Sequence, residues 1–355
     1  MTATDSNIVR VLIVDDAPLM RKAISRILSE REDIEVVGMA ANGMECLQMI
    51  EELAPDVVTL DIDMPVMNGI TTVKNIMVRH HIPTVIVSSM VQDGYFAFEA
   101  LRLGVMDFLP KPSKTMGGDW ASEEEILCRR VRLAASMQIN RMRRVRRKAF
   151  SPTHSDSALP AHGGPSAPSS LVLMGTTLAG PNSIMHVVTQ LSSGITGSVV
   201  ALQEIHPRIL PPFCEHFNRM SPLEVVPVTE SCALAPGKVY MCSTFSDVAI
   251  VPSEEKPGEF MLSVNEATHH PIDLLFQSAA HSFGDRACGV ILTGIGRDGS
   301  EGLRAIREAG GLTVAQKQEC CVYPNIVENA IQADVVEMVL PLGEIPRHLR
   351  SWLDR

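Results

Sequence analysis

Short apolar runs alternate with stretches of helical periodicity along most of the chain. The runs share a length of four to seven residues and end in polar or small residues; they occupy 10–14, 57–60, 84–87, 171–174, 198–202 and 287–293. Strands that are apolar throughout are typical of a parallel sheet that helices cover on both faces. The pattern therefore predicts an α/β protein with two doubly wound, mainly parallel sheets. One segment, 225–264, has Pro236-Gly237 between short apolar runs, and for it we predict an antiparallel excursion.

Composition changes between the two predicted sheets. A helical stretch from about 122 to 148 ends in the basic run 141–148, and 150–170 is rich in Ser, Pro, Ala, Gly and His. Such a stretch without apolar periodicity is typical of a flexible linker. We therefore divide the chain into a first domain 1–118, a helix and linker 119–170, and a second domain 171–355.

The basic run 141–148 has two interpretations. It could bind nucleic acid or acidic lipid, or it could be a solvated helix end whose cations complement the helix dipole. The formal net charge of the chain is −10, which argues against general nucleic-acid binding. We find no helix-turn-helix pattern, no signal-peptide pattern and no apolar stretch near the roughly 20 residues that span a bilayer. The eight cysteines lack zinc-type spacing. These features predict a reduced, cytoplasmic protein without membrane insertion.

Polar side chains follow the strands of the first predicted sheet. Asp15 and Asp16 end the first run, Asp61 ends the second, Ser88 follows the third, and Lys111 comes later in Asp-Phe-Leu-Pro-Lys-Pro. The carboxyl ends of parallel strands meet at one edge, where functional groups gather. Clustered carboxylates suit Mg²⁺, and a lone ammonium suits a phosphoryl oxygen. The sequence therefore predicts a phosphorylation switch at this edge.

This arrangement resembles the receiver domain of two-component response regulators over about the first third of the chain. The resemblance implies that Asp61 is the phosphoacceptor and that a histidine kinase is the phosphodonor. It also implies a Mg²⁺ site in which Asp16 and Asp61 are ligands, Asp15 acts at least through water, and Asp63 offers its backbone carbonyl.

Three further receiver positions match. Ser88 would hydrogen-bond the phosphoryl group, Lys111 would pair with it, and Phe108 falls where the family keeps its switch aromatic. Pro65 and Gly69 would shape the loop that follows the phosphoacceptor. A carboxylate can act as a nucleophile on phosphorus, so the expected chemistry is consistent with the residues themselves.

Along its whole length the chain resembles the chemotaxis-type protein-glutamate methylesterase (CheB) family. The segments 272–276, 289–299 and 310–316 fit that family closely. The resemblance places the catalytic aspartate of the family at Asp298. It implies chemoreceptor cytoplasmic regions or a signalling scaffold as partners, and it implies no cofactor in the second domain.

The other two positions of the family's catalytic triad are changed. Thr177 stands at the serine position in Gly-Thr-Thr-Leu-Ala-Gly, and Glu204 stands at the histidine position after Gln203. Threonine keeps a hydroxyl, but its branched side chain restricts χ1. A carboxylate with an ordinary pKa of about 4.3 is a far weaker base than imidazole, and we expect Glu204 to lie near Asp298. Loss of a triad member costs on the order of 10⁴–10⁶ in turnover.

Two hypotheses follow for the second domain. It is either a degenerate output domain that acts by protein binding, which the changed triad favours, or an active methylesterase and glutamine deamidase of chemoreceptors. The active alternative needs another base. His206, two residues after Glu204, and the pair His269 and His270 are the available imidazoles, although a surface or capping role is the simpler interpretation of each.

Overall fold

The computed structural model describes residues 8–88, 94–111, 120–142 and 167–354. The chain divides into two compact units, 1–140 and 141–355. Each unit contains a parallel sheet with helices, so the predicted α/β class with two doubly wound sheets is confirmed. Within the described ranges, no helix combines the length and the apolar character that crossing a bilayer requires.

The first unit is built on a five-stranded sheet in the order β2-β1-β3-β4-β5. All neighbouring strands pair in parallel. The strands are β1 (Val9–Val14), β2 (Ile34–Ala40), β3 (Val57–Leu60), β4 (Thr84–Ser88) and β5 (Asp107–Pro110). Every residue of β3 and β4 is buried, because helices cover both faces, and this explains the unbroken apolar runs in the sequence.

The helices of the first unit return the chain between the strands. They are α1 (Pro18–Ser29), α2 (Gly43–Leu53), α3 (Gly69–Asn75), α4 (Gly94–Leu103) and α5 (Trp120–Ala135). Asn42 caps α2 by accepting from the amides of Met44 and Glu45. Asn68 caps α3 through the amide of Thr71. These asparagines start helices directly after β2 and the β3 loop, and so leave the strand ends open at one edge.

The helix predicted for 122–148 is shorter than expected. It ends at Ala135, where the Ser136 hydroxyl donates to the Leu133 carbonyl at 2.8 Å and the Met137 amide donates to the Ala134 carbonyl at 3.0 Å. Met137 is buried, so leaving the helix lets this side chain reach the core. A 3₁₀ turn, Ile139–Arg141, follows. Most of the basic run, from 143 to 148, and the linker up to 166 lie outside the described residues.

Helix α5 packs on the first unit, although we assigned it to the segment between the domains. Arg132 pairs with Asp33 at 2.6 Å, and Arg130 pairs with Asp107 at 2.9 Å. The Cys128 side chain is buried and its thiol lies 3.8 Å from the Ile27 carbonyl. Two ion pairs and a buried cysteine therefore hold α5 against the first unit.

The second unit is built on a seven-stranded sheet in the order β15-β14-β13-β6-β7-β10-β8. Its strands are β6 (Leu171–Gly175), β7 (Ser198–Gln203), β8 (Glu224–Pro227), β10 (Lys238–Ser243), β13 (Ala287–Ile291), β14 (Leu312–Gln316) and β15 (Met338–Leu340). The strand order reverses between β6 and β13. Ligands of open α/β sheets bind at such a switch point, outside the carboxyl ends of the strands. The loops after β6 and β13 are therefore the expected site.

Six helices flank this sheet in the described part of the unit: α6 (Gly180–Val188), α7 (Leu210–Asn218), α8 (Pro271–Phe283), α9 (Ser300–Glu308), α10 (Asn325–Gln332) and α11 (Ile345–Leu353). Helices α8 and α9 approach closely at Gly302, where a Cβ atom would lie only 2.5 Å from the Cβ of Phe276. A glycine is needed there because the neighbouring atom belongs to the base of a buried side chain.

The antiparallel excursion predicted for 225–264 is only partly correct. A three-stranded antiparallel sheet does form from β9 (Cys232–Ala233), β11 (Ser246–Pro252) and β12 (Phe260–Glu266). Strands β8 and β10, however, belong to the main parallel sheet. The reason is that β10 is buried from Val239 to Ser243, which requires cover on both faces, as in a central parallel strand.

Candidate functional sites

The acidic pocket of the first unit is formed by side chains from three strand ends. Asp15 and Asp61 are 1% and 3% exposed. The Nζ of Lys111 lies 2.7 Å from Asp15 Oδ2 and 2.6 Å from Asp61 Oδ2. The sequence-predicted carboxylates and ammonium are therefore brought together in one buried cluster.

The orientation of Asp61 is fixed by the strand and by the loop that follows it. Its amide donates to the Val14 carbonyl at 2.8 Å, and its Oδ1 accepts from the Ile62 amide at 2.7 Å. Gly69 lets the loop fold back, because a Cβ there would lie 2.9 Å from the Ile62 Cα. This leaves Oδ2, the oxygen that faces Lys111, directed into the pocket.

The loop also contains a backbone conformation that β-branched residues rarely adopt. Val66 has a φ of 68° and is 78% exposed. The Met67 amide donates to the Pro65 carbonyl at 2.7 Å, which closes a γ-turn around Val66. Such turns are strained, and a positive φ is unfavourable for valine. The loop next to the phosphoacceptor position is therefore held in a costly conformation.

The charges in the pocket influence one another. Burial raises the pKa of Asp15, and this outweighs the lowering effects of its hydrogen bonds to Lys111 and to the Ala17 amide. Burial alone would lower the pKa of Lys111, but its hydrogen bonds to Asp15 and Asp61 raise that pKa overall. The lysine is therefore a cation that balances two buried carboxylates.

The same pocket has the donor set for a divalent cation. Asp15, Asp16 and Asp61 each offer a carboxylate oxygen, and these oxygens lie within 4.8 Å of one another. Oxygen-only donors fit Mg²⁺. Asp63 is exposed in the loop after β3, and the predicted role of its backbone carbonyl stays a prediction.

Ser88 and Phe108 occupy the neighbouring strands. The Ser88 side chain is 2% exposed, and its Oγ has no hydrogen-bond partner among the residues that the structure describes. The Lys111 amide donates to the Ser88 carbonyl at 2.9 Å, so the hydroxyl and the ammonium come from adjacent chain segments. Phe108 is buried and meets Phe96 edge-on, with ring centroids 6.3 Å apart. An orphaned buried hydroxyl costs free energy, and it fits the expected hydrogen bond to a phosphoryl oxygen.

The second candidate site lies at the switch point of the larger sheet. Thr177 follows β6, and its Oγ1 accepts from the Ile295 amide at 2.7 Å and donates to the Ile295 carbonyl at 3.1 Å. A Cβ on Gly294 would lie 2.5 Å from this oxygen, so the loop after β13 closes tightly over it. The Thr177 hydroxyl therefore connects the two loops of the site.

The turn after Thr177 is also unusual. Ala179, which precedes α6, has a φ of 59°, in a region that favours glycine. The chain adopts this left-handed turn with an alanine, directly before Gly180. Thr176 adds a further link, because its hydroxyl donates to the Thr293 carbonyl.

Asp298 receives two hydrogen bonds from the start of α8. Its Oδ2 accepts from the Ile272 amide and its Oδ1 from the Asp273 amide, both at 2.9 Å. In return, Asp273 Oδ1 accepts from the Gly302 amide in the first turn of α9 at 2.7 Å. Each helix is thus capped by a carboxylate on the other segment. Burial is the main cause that raises the pKa of Asp298, against the lowering effect of the two amides.

Sequence reasoning missed this reciprocal cap. The available signal was Asp273 two residues after Pro271, since proline favours the first position of a helix and acidic residues favour the first turn. Spacing alone could not show that Asp298, 25 residues later, completes it.

Glu204 is partly buried directly after β7. The expected proximity of Glu204 to Asp298 stays a prediction; Asp273 and His270 are charged neighbours that affect the pKa of Asp298. His270 is the nearer imidazole, with Nδ1 4.0 Å from Asp298 Oδ1 and a side chain that is 67% exposed. His269 is exposed.

His206 has a local structural role. Its Nδ1 accepts from the Arg208 amide at 3.2 Å, and its ring lies 5.8 Å from that of Phe245. Burial, together with the charge of Arg208, lowers its pKa. His206 is exposed, and its Nδ1 is engaged in a local hydrogen bond to the turn that precedes α7.

His270, Asp273 and Asp298 also offer three possible metal-ligand atoms within 4.8 Å. The carboxylate oxygens already accept main-chain amides, and the positive end of a helix dipole disfavours a cation. The cluster is therefore better explained as a helix cap than as a metal centre.

These two sites define a class of protein in which a receiver-type acidic pocket precedes an α/β domain of hydrolase type. The comparisons agree with that class. The family model described as CheB methylesterase matches residues 172–349, and the response regulator receiver domain model matches 11–116. The chain belongs to the CheB methylesterase family, as the sequence resemblance predicted.

Similar proteins extend over nearly the whole chain. The protein-glutamate methylesterase/protein-glutamine glutaminase of Geobacillus kaustophilus is 33% identical over 345 residues, which cover 95% of this chain and 96% of that protein. The protein of the same description from Desulfitobacterium hafniense is 30% identical and covers 98% of each chain.

Solved structures match each unit. The Thermotoga maritima CheB methylesterase catalytic domain has a TM-score of 0.48 and 23% identity over 51% of this chain and 97% of its own. The response regulator domain of Thermotoga maritima CheB has a TM-score of 0.34 and 36% identity, over 37% of this chain and 98% of its own.

Proposed function

We propose that the chain is a phosphorylation-regulated response regulator of chemotaxis or a related two-component pathway, and that its output domain acts by binding a protein. A histidine kinase would supply the phosphoryl group, and chemoreceptor cytoplasmic regions or a signalling scaffold would be the partners. The receiver-plus-methylesterase architecture supports the pathway. The hydrogen bonds between the Thr177 hydroxyl and the main chain of Ile295 support the proposed loss of esterase turnover.

The receiver chemistry follows from the pocket. The Asp61 carboxylate would attack phosphorus, forming an acyl phosphate as the bond to the donor's leaving group breaks. Lys111, held as a cation 2.6 Å from Asp61, would pair with the new phosphoryl charge. The Ser88 hydroxyl, which has no partner among the described residues, would donate a hydrogen bond to a phosphoryl oxygen. Mg²⁺, held by Asp15, Asp16 and Asp61 with the main chain of Asp63, would offset charge during the transfer. Phe108 would be the switch aromatic residue that responds to phosphorylation of Asp61.

One observation carries the proposed loss of esterase activity. The Thr177 hydroxyl both donates to and accepts from the main chain of Ile295. Its proton is therefore directed to a carbonyl that cannot act as a base. A nucleophile of this kind needs an adjacent base to remove that proton, and Glu204 stands where the family has histidine. With base and nucleophile both altered, we expect turnover to be lower by on the order of 10⁴ or more.

The second candidate function is active methylesterase and glutamine deamidase chemistry. Two observations favour it. Relatives that match nearly the whole chain are described as protein-glutamate methylesterase/protein-glutamine glutaminase, and His270 lies 4.0 Å from Asp298. For this function His270 would have to act as the base, and Thr177 would have to exchange its main-chain bonds for one to an imidazole.

Methanol release separates the two candidates. The full chain would be phosphorylated with a small phosphodonor and incubated with methylated receptor, next to a Thr177→Ser/Glu204→His variant and a Thr177→Ala control. We expect no release above the Thr177→Ala control from the natural sequence. Release that Thr177→Ala or His270→Gln abolishes would establish the enzyme instead.

The phosphoacceptor is tested independently. Asp61→Asn should abolish labelling by the phosphodonor, while Asp63→Asn, a matched change two residues away, should retain it. Labelling that persists in Asp61→Asn would refute the assignment.

A further inference from the structure

The acidic loop after β1 is anchored by an arginine that none of the expected receiver positions includes. Nη1 of Arg21, on α1, donates to the Asp15 carbonyl at 2.6 Å and to the Asp16 carbonyl at 3.0 Å. We propose that Arg21 is a positioning residue that sets the direction of the Asp16 carboxylate for metal binding. This inference rests on the proposed receiver function.

The geometry explains how one side chain can do this. The Cα of Asp16 lies between two peptide units, whose carbonyl oxygens belong to Asp15 and Asp16. Because one nitrogen of Arg21 binds both oxygens, it restrains the two backbone torsions that flank this Cα. The direction of the Cα–Cβ bond of Asp16 is thereby restrained, although the residue itself is exposed. Its oxygen comes within 4.8 Å of those of Asp15 and Asp61.

The described contacts restrain the loop at a few other points. Ala17 occupies the N-cap position of α1 without a side-chain cap, and Pro18 follows as the first helical residue, where it offers no amide proton. The Ala17 amide donates to Asp15 Oδ1 at 2.8 Å, and the Asp15 amide donates to the Ala40 carbonyl at 3.2 Å. The second bond orients Asp15, whereas the first also restrains the peptide unit between Asp16 and Ala17, because the Ala17 amide and the Asp16 carbonyl share one plane. Among the described contacts, Arg21 provides those that fix the carbonyls on either side of Asp16.

The positive charge of Arg21 opposes metal binding, whereas its hydrogen bonds favour it. A guanidinium near the pocket repels Mg²⁺, so its removal would tighten binding if charge decided the outcome. Groups that orient metal ligands usually matter more, since their loss costs roughly 10–100-fold in metal affinity. Arg21 is half-buried, so solvent and salt screen its charge in part and weaken the repulsion. The two effects predict opposite signs for the same substitution.

Calorimetric titration of the unphosphorylated full chain with Mg²⁺ distinguishes them. Arg21→Met removes both hydrogen bonds and the charge, and Arg21→Lys keeps the charge. The matched control is Lys22→Met, which removes an exposed cation from the next position of the same helix. We expect Arg21→Met to weaken Mg²⁺ binding about tenfold, at the lower end of the usual range, Arg21→Lys to weaken it less, and Lys22→Met to leave it unchanged.

The phosphodonor reaction gives a second readout. In Arg21→Met, the Mg²⁺ concentration for half-maximal labelling of Asp61 should rise by the same factor, while the rate at saturating Mg²⁺ stays near that of the natural sequence. Unchanged or tighter Mg²⁺ binding in Arg21→Met, or in Arg21→Lys if the methionine variant does not fold, would overturn the inference. Failure of the natural sequence to bind Mg²⁺ at all would instead refute the proposed receiver site.

Discussion

Replacing Asp298 tests whether this residue is a helix cap in this chain. Asp298→Ala removes the oxygens that accept from the Ile272 and Asp273 amides at the start of α8. Asp298→Asn keeps one oxygen acceptor and removes the charge. If the cap dominates, both changes reduce stability, and alanine costs more than asparagine. If Asp298 serves only a hydrolase triad, neither change affects stability.

The structure sets the size of the effect. Loss of an N-terminal cap costs about 0.5–2 kcal/mol, and two charge-assisted bonds place Asp298 in the upper part of that range. Burial, which raises the pKa of Asp298, offsets some of the gain. We therefore expect a loss of about 2 kcal/mol for alanine and about 1 kcal/mol for asparagine. For a unit of this size, the melting temperature should fall by roughly 4–8 °C and 2–4 °C respectively.

Tryptophan fluorescence can report on the second unit alone. The chain has two tryptophans, so Trp120→Phe leaves Trp352, which is 6% exposed in α11, as the single reporter. Asp298→Ala, Asp298→Asn and the control Glu301→Gln would be melted in that background. Glu301 is exposed in the first turn of α9, and its change should stay within about 0.5 kcal/mol. A melting temperature for Asp298→Ala equal to that of the control would refute the reasoning.

Three further changes test other parts of the structure. Val66→Gly should stabilise the first unit by about 0.5–1 kcal/mol in urea unfolding, because glycine relieves the strain at positive φ; a loss of stability would contradict the strained turn. Thr177→Val should destabilise the second unit by about 1–2 kcal/mol, because the Ile295 amide and carbonyl lose their partner, whereas Thr177→Ser should cost less. Arg132→Ala should cost up to about 1 kcal/mol at pH 7. The hydrogen bond from Arg132 lowers the pKa of Asp33 below its usual 3.8. The stability that the pair contributes is therefore complete above pH 3.8 and is lost as the pH falls through the lowered pKa of Asp33. A stability difference between Arg132→Ala and the natural sequence that stays constant down to about pH 3 would contradict this linkage.

The acidic pocket was predictable because its residues follow fully apolar strands. In a parallel sheet, strand ends meet at one edge whatever the details of the helices, so Asp15, Asp61 and Lys111 could be placed together from sequence order. The hydrogen bonds of Arg21 could not be predicted in this way. They depend on side-chain reach across the first turn of α1 and not on the strand pattern.

The second unit shows where pattern reasoning fails. The sequence of strand β10 resembles the apolar runs of the antiparallel sheet that follows it. Only its burial on both faces distinguishes β10 from those strands. The predicted helix 122–148 kept a favourable composition past Ala135, but the helix ends there, and Met137 beyond its end is buried. In both cases tertiary burial decided between local structures that the sequence permits.

Because Asp298 caps a helix, its presence is weak evidence that the chain hydrolyses esters. A carboxylate oxygen can accept more than one hydrogen bond, so Oδ1 could accept from the Asp273 amide and still orient an imidazole where one is present. The cap and the triad role are compatible in a family member that has the histidine. In this chain the cap alone is sufficient to explain the aspartate, because its removal would leave the first turns of α8 without their acceptor. Evidence for catalysis must then come from Thr177 and a base, and the Thr177 proton is directed to Ile295.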